Sequence, residues 1–211
     1  MQSTLMNPNW AQENLQTIRT LMERSAVYRR ALAPIMLFAG VAGMLAAAAG
    51  LFFHLNSSRA FHGLWLGTAM VVVIRAFLIA RKQALKDGEA LWSPPTRRVA
   101  QALAPPLTAG FIVGVILFWL STDWNAFSEL SPFNWALFYG CALNSAGFFM
   151  SRGVRWLGWI YILLVPCVLM ALLAIRPIYI NPHWVMGFFF GVLNLAYGAY
   201  LSFTEKPNDV A

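Results

Sequence analysis

The amino-acid sequence predicts an all-α membrane protein, a polytopic bundle of six transmembrane helices preceded by an amphipathic helix. Three observations carry that prediction. Hydrophobic residues make up 59% of the 211 residues and charged residues only 11%, against roughly 25% charged in an ordinary soluble domain. The stretch Val99–Thr122 carries no charge, and Thr108 is the one polar side chain between Leu103 and Leu120. At about 1.5 Å of rise per helical residue, such a stretch crosses hydrocarbon about 30 Å thick. Five further stretches of the same kind flank it, and the basic residues alternate from one connection to the next.

Taken in order, residues 1–31 form the first element. Asn9 is placed to cap a helix in which Leu15, Ile18 and Met22 share one face, with Arg19, Glu23, Arg24 and Arg30 on more polar sides. That pattern fits a helix lying on anionic headgroups, or one docking a cytoplasmic partner. The membrane domain covers residues 32–203, with spans at Leu32–Phe53, Phe61–Ala80, Leu103–Leu120, Phe133–Met150, Val154–Ile175 and His183–Phe203. Pro105 and Pro106 are expected at the entrance of span 3, where a missing N–H costs least. Ser131 and Pro132 are expected to cap and begin span 4, Pro166 to kink span 5 from within, and Asn181 and Pro182 to start span 6. Arg81–Ala102 is the longest connection, broken by Asp87-Gly88 and Pro94-Pro95, and residues 204–211 form a tail. No short apolar core follows a basic start, so the sequence predicts no cleavable signal peptide.

Orientation follows from Lys and Arg. One side holds Arg19, Arg24, Arg29, Arg30, Arg81, Lys82, Lys86, Arg97, Arg98, Arg152, Arg155 and Lys206, while the other holds Arg59 and Arg176. This bias predicts a multi-pass membrane protein with both termini in the cytoplasm. The net charge of +7 is spread over every cytoplasmic segment. It reads as an insertion signal, not a nucleic-acid surface, which would need one folded basic face.

Within the spans, small residues mark packing faces. Gly40, Gly43, Ala47 and Gly50 make a stripe in span 1, Gly110 and Gly114 a GxxxG pair in span 3. Gly187, Gly191, Asn194 and Gly198 share a face in span 6. Inside lipid, helices associate through close backbone approach and polar contacts, so these stripes are expected to pack within the bundle. Ala33-Pro34, Ala39-Gly40 and Gly43 in span 1 parallel Ala104-Pro105, Ala109-Gly110 and Gly114 in span 3, a faint internal repeat.

Few polar groups remain as candidates for chemistry. Asn144 and Asn194 are the deepest uncharged ones, and Arg75 is the charge well inside a span. Together they are the ligand or transport candidates, although Arg75 is expected to snorkel toward the cytoplasmic interface. His54, His62 and His183 all fall near the outer face and are the metal or haem candidates, though no local spacing enforces a site. Cys141 and Cys167 lie inside apolar spans, which argues against a disulfide framework. No HExxH, GxSxG, CxxC or phosphate-binding loop occurs, and no acid lies within a span. These features favour a non-enzymatic sensor or regulatory membrane component, with no cofactor expected. The alternatives are a small transporter with a polar cavity around Arg75, Asn144 and Asn194, and a redox module on the three histidines. The partners expected are the lipid bilayer and a cytoplasmic protein meeting residues 1–31 or 81–102, with oligomerisation left open.

The segments ENLQTIRTLMERS (Glu13–Ser25), RRVAQALAPPLTAG (Arg97–Gly110), NWALFYG (Asn134–Gly140) and GFFFGVLNLAYG (Gly187–Gly198) carry a resemblance. The chain resembles an uncharacterised family of small bacterial six-helix integral membrane proteins, often encoded beside winged-helix regulators. The resemblance implies a six-helix inner-membrane fold and a role in sensing or response, and implies no catalytic residues. In that family a His often stands where this chain has Asn194.

Overall fold

The computed structural model describes residues 31–86, 88, 92–120, 126–174 and 180–204. The described chain is all-helical, without strands. Helix α1 (Ala31–Phe52) is followed by α2 (Ser58–Lys86), α3 (Pro94–Leu120), α4 (Ala126–Ala146), α5 (Arg152–Ala174) and α6 (Pro182–Thr204). Five of these helices are long and apolar enough to cross a membrane, and α4 is the exception. The amphipathic helix expected over residues 1–30 and the tail from residue 205 lie outside the described residues.

Helix boundaries differ from the sequence expectation in physically readable ways. Helix α3 starts at Pro94 rather than Leu103, so Pro105 and Pro106 lie inside it and not at its entrance. The prolines that begin the helix are Pro94 and Pro95, where the absent N–H has no intrahelical partner to lose. Ser93 precedes them, accepting from the Arg97 N–H at 3.0 Å through its carbonyl, with its Oγ 2.9 Å from Thr96 Oγ1. Since α2 also runs on to Lys86, the long basic connection shrinks to residues 87–93, with Gly88 at φ 65°, a left-handed value that favours glycine. Helix α4 likewise begins at Ala126 and takes Ser131 and Pro132 into its interior. It stops at Ala146, before Met150, because Gly147 turns against α5: a Cβ there would lie 2.6 Å from Arg155 Cα. The α6 start is as expected, with Asn181 Oδ1 accepting from the His183 N–H at 3.0 Å and Pro182 leading.

A run of pairwise contacts sets the topology. On α1 and α6, Leu37 faces Gly198, Gly40 faces Leu195, Gly43 faces Phe190, Ala47 faces Gly187 and Gly50 faces His183. The two small-residue stripes therefore meet each other, antiparallel. Gly114 accommodates the Trp135 ring between α3 and α4, and Gly158 lies against the Asn144 backbone between α5 and α4. Each of these pairs runs antiparallel, so the helices alternate in direction. Arg81, Lys82, Lys86, Arg97, Arg98, Arg152 and Arg155 consequently collect at the end of the bundle where α1 begins and α6 finishes.

The main apolar core joins α1, α4, α5 and α6, with Met36, Phe133, Tyr161 and Phe189 at its centre. A second cluster of Ala46, Ala47, Phe61, Trp65 and Met186 attaches the first turns of α2 at the opposite end. Beyond Trp65, the next buried residue of α2 is Ala84. Helices α2 and α3 thus flank a four-helix core, and α2 is anchored to it chiefly by its first two turns.

The α1–α6 seam makes a testable demand. A Cβ on Gly43 would sit 2.6 Å from the Phe190 carbonyl oxygen, and backbone cannot swing aside. Gly43→Ala is expected to cost about 1–3 kcal/mol, the range for overpacking. Gly67, with nothing within 4 Å, is the control: Gly67→Ala is expected to be neutral or stabilising by roughly 0.5–1 kcal/mol. Thermal unfolding in detergent checks the pair, and equal melting temperatures would contradict the seam.

Candidate functional site

Helix α6 does not run as a regular α-helix. Between α-helical Pro182–Met186 and Asn194–Thr204, residues Gly187–Leu193 form a π-helix. A wider turn shifts the register of everything after it, and such turns recur at functional sites. Here the Asn194 amide donates to the Phe190 carbonyl at 3.0 Å. Asn194 Oδ1 in turn accepts from the Tyr139 hydroxyl at 3.0 Å, tying α6 to α4. Asn194 is 1% exposed and satisfied on both sides of its amide.

These residues form the back wall of a cavity of about 240 Å³. Trp65, Trp135, Tyr139, Phe190 and Asn194 line its inner part, with Leu66, Met70 and Val73 of α2 and Leu107 and Phe111 of α3 on the other side. Helices α1, α2, α3, α4 and α6 contribute to it, and α5 contributes none of the lining. The polar groups on the wall are already bonded within the protein. The Trp135 indole N–H donates to the Gly110 carbonyl at 2.8 Å, and the Thr68 hydroxyl donates to the Leu64 carbonyl at 2.8 Å. The Trp65 indole donates to His183 Nδ1 at 3.2 Å. What remains facing the space is hydrocarbon and aromatic surface.

Of the transport candidates, only Asn194 touches this cavity. Arg75 is exposed, its guanidinium carbon 5.1 Å from the Phe38 ring centre, and it does not reach the lining. Asn144 lies at the α4–α5 crossing, where its buried Oδ1 has no hydrogen-bond partner among the described residues. The structure therefore does not gather Arg75, Asn144 and Asn194 around one polar space.

The histidines are partly brought together. His62 and His183 are both buried and flank the Phe61 ring, at 5.3 and 5.1 Å between ring centres. His54 is exposed at the end of α1, with φ 51°. His183 Nδ1 accepts from Trp65, so Nε2 carries the proton and donates to the Leu55 carbonyl at 3.2 Å. His62 Nδ1 donates to the Ser58 carbonyl at 2.7 Å, leaving Nε2 without a partner among the described residues. As bonded, His183 offers a metal no lone pair, and no group of three or more His, Cys, Asp or Glu ligands forms among the described residues. The two rings pack in an aromatic cluster with Phe61, Trp65 and Trp135.

The sequence reading did not single out Trp65, Trp135, Tyr139 or Phe190. A signal was present in that Trp and Tyr favour the ends of membrane helices, whereas Trp135 and Tyr139 stand in mid-helix. Comparison with protein-family models, with characterised proteins and with solved structures returns no match.

Two substitutions test the geometry. Tyr139→Phe removes the donor to Asn194 Oδ1 and is expected to lower stability by about 1 kcal/mol, read as a fall in melting temperature. Arg75→Lys is expected to leave stability and yield unchanged, because the exposed group makes no bidentate contact among the described residues that an ammonium could not replace. Loss of the folded protein on Arg75→Lys would show that the guanidinium holds something beyond the Phe38 ring.

Proposed function

We propose that the chain is a six-span integral protein of the bacterial inner membrane, with both termini in the cytoplasm, acting as a non-enzymatic sensor or regulatory component. The observation that carries the reading is where its apolar surface lies. In the most apolar stretch of α2 only 6% is buried, and in that of α3 only 11%. Val71, Val73, Ile74 and Phe77 of α2 and Ile112 and Ile116 of α3 point outward, each at least 45% exposed. Water does not tolerate contiguous apolar surface on this scale, and lipid does.

Helix α4 supplies the sixth crossing. It carries Glu129, Asn134 and Asn144, and it is flanked by α3, α5 and α6. A helix enclosed by others need not be as lipophilic as one facing lipid. Gathering the basic residues at one end of the bundle supports placing that end in the cytoplasm. The regulatory part rests on that basic face as a surface for a cytoplasmic partner, and on the resemblance to proteins encoded beside winged-helix regulators.

A paired reporter decides the topology. A fusion after Ala211 is expected to be active as a cytoplasmic fluorescent protein and inactive as a periplasmic phosphatase. The reverse result would overturn the orientation, and phosphatase activity from a fusion at Asn56 is expected as the complement.

A further inference from the structure

We propose that the cavity between α2, α3 and the four-helix core is a binding site for the hydrocarbon chain of a lipid, reached sideways from the bilayer between α2 and α3. This inference rests on the membrane reading above and deepens it by naming what the protein would hold.

The chemistry of the wall selects hydrocarbon. Each polar side chain on it is committed within the protein: Thr68 to the Leu64 carbonyl, Trp65 to His183, Trp135 to the Gly110 carbonyl, and Tyr139 to Asn194. A polar ligand would leave water and find few groups to bond, whereas an alkyl chain needs none. Size points the same way. A dry cavity of about 150 Å³ takes up benzene, so 240 Å³ holds roughly nine or ten carbons by the same ratio. That accommodates a stretch of a single hydrocarbon chain and is too small for a porphyrin.

The mouth faces lipid. Met70 and Val73 on α2 and Leu107 and Phe111 on α3 line the cavity, yet are 49%, 57%, 37% and 45% exposed. They form an apolar rim at mid-height of the bundle, level with hydrocarbon and not with headgroups. The opening has a structural cause. Helix α2 is held by Ser58, Phe61, His62 and Trp65 and next buries a residue at Ala84, so it stands off the core along the turns between. At the inner end, an occupant would meet Phe190 and Asn194, the residues whose bond closes the π-helical segment of α6. A chain in the cavity therefore touches the least regular part of the bundle.

The test uses the full chain in vesicles of phosphatidylcholine and phosphatidylglycerol. The probe is a phosphatidylcholine bearing a diazirine in mid-chain, photolysed and mapped by peptide mass spectrometry. Adducts are expected at Tyr139 or Phe190, behind the rim, as well as at Leu163, which is 61% exposed on α5. Ala69→Phe, at an exposed lining position, is expected to reduce the inner adducts several-fold and leave those at Leu163 unchanged. A parallel arm with a diazirine fatty acid separates the sources: inner labelling by the phospholipid alone assigns a bilayer lipid, and by the fatty acid alone a free acid. Adducts at Leu163 without any at Tyr139 or Phe190 in either arm would overturn the site. So would inner labelling unaffected by Ala69→Phe, or inner protection that grows with protein density, which would assign a second copy as occupant. Absence of adducts at Leu163 too would overturn the membrane reading itself.

Discussion

The close approach of α1 and α6 is the contact on which the rest of the bundle depends. Gly40 and Gly43 bring α1 against the backbone of Phe190, Gly191 and Leu195, closer than any side chain would allow. In a bilayer this is the principal way for two apolar helices to prefer each other over lipid, since burial of hydrocarbon supplies no drive there. Joining the first and last described helices closes α1, α4, α5 and α6 into a core, and leaves α2 and α3 to flank it. Gly158, against the Asn144 backbone, repeats the device between α5 and α4.

The same seam bears on the π-helical turn. Phe190 and Gly191 lie against Gly43 and Met44 of α1, and they fall within the widened segment Gly187–Leu193. A widened turn leaves backbone carbonyls to be satisfied locally, and the Asn194 amide takes the Phe190 carbonyl. The Tyr161 hydroxyl from α5 takes the Phe189 carbonyl in the same segment. Asn194 and the Tyr161 hydroxyl are thus explained as repairs to irregular backbone. Asn194, a ligand candidate on depth alone, serves this role while lining the cavity, so its structural and site readings are not alternatives.

Legibility in the sequence followed the range of each interaction. The helices, the α6 cap at Asn181 and the small-residue faces depend on neighbours a few positions apart, and each could be read. Which stripe meets which could not, because Gly43 and Phe190 are brought together only by the whole chain's path. The prolines misled for a related reason. Pro105-Pro106 resembles a helix start, but Ser93 with Pro94-Pro95 supplies one eleven residues earlier and the helix continues through the second pair. Register after the π-helical turn was illegible as well, since nothing in GFFFGVL breaks helical periodicity. Arg75, Asn144 and Asn194 look alike by depth. Their separation into an exposed cation, a crossing-point amide and a wall residue is a property of packing.

The uneven attachment of α2 connects the two groups of residues that stand out. At one end, His62 and Trp65 lock its first turns into the cluster with His183, itself held by Leu55 and lodged against Gly50. Imidazoles suit that position: each joins an aromatic stack through its ring while bonding backbone or indole through nitrogen. Past Trp65 the helix has no comparable anchor before Ala84. Trp65 belongs to both regions, bonded to His183 on one side and facing the cavity on the other. Helix α2 is thus held at Trp65 and again at Ala84, and the turns between them are the part least held by the core. Its small and apolar face at Leu66, Ala69, Met70 and Val73 is therefore the wall best able to adjust to an occupant. The back wall is held by Tyr139, Asn194 and the seam with α1. The cavity thus pairs one yielding side with one rigid side, and the rigid side is the one continuous with the core that reaches the basic end of the bundle.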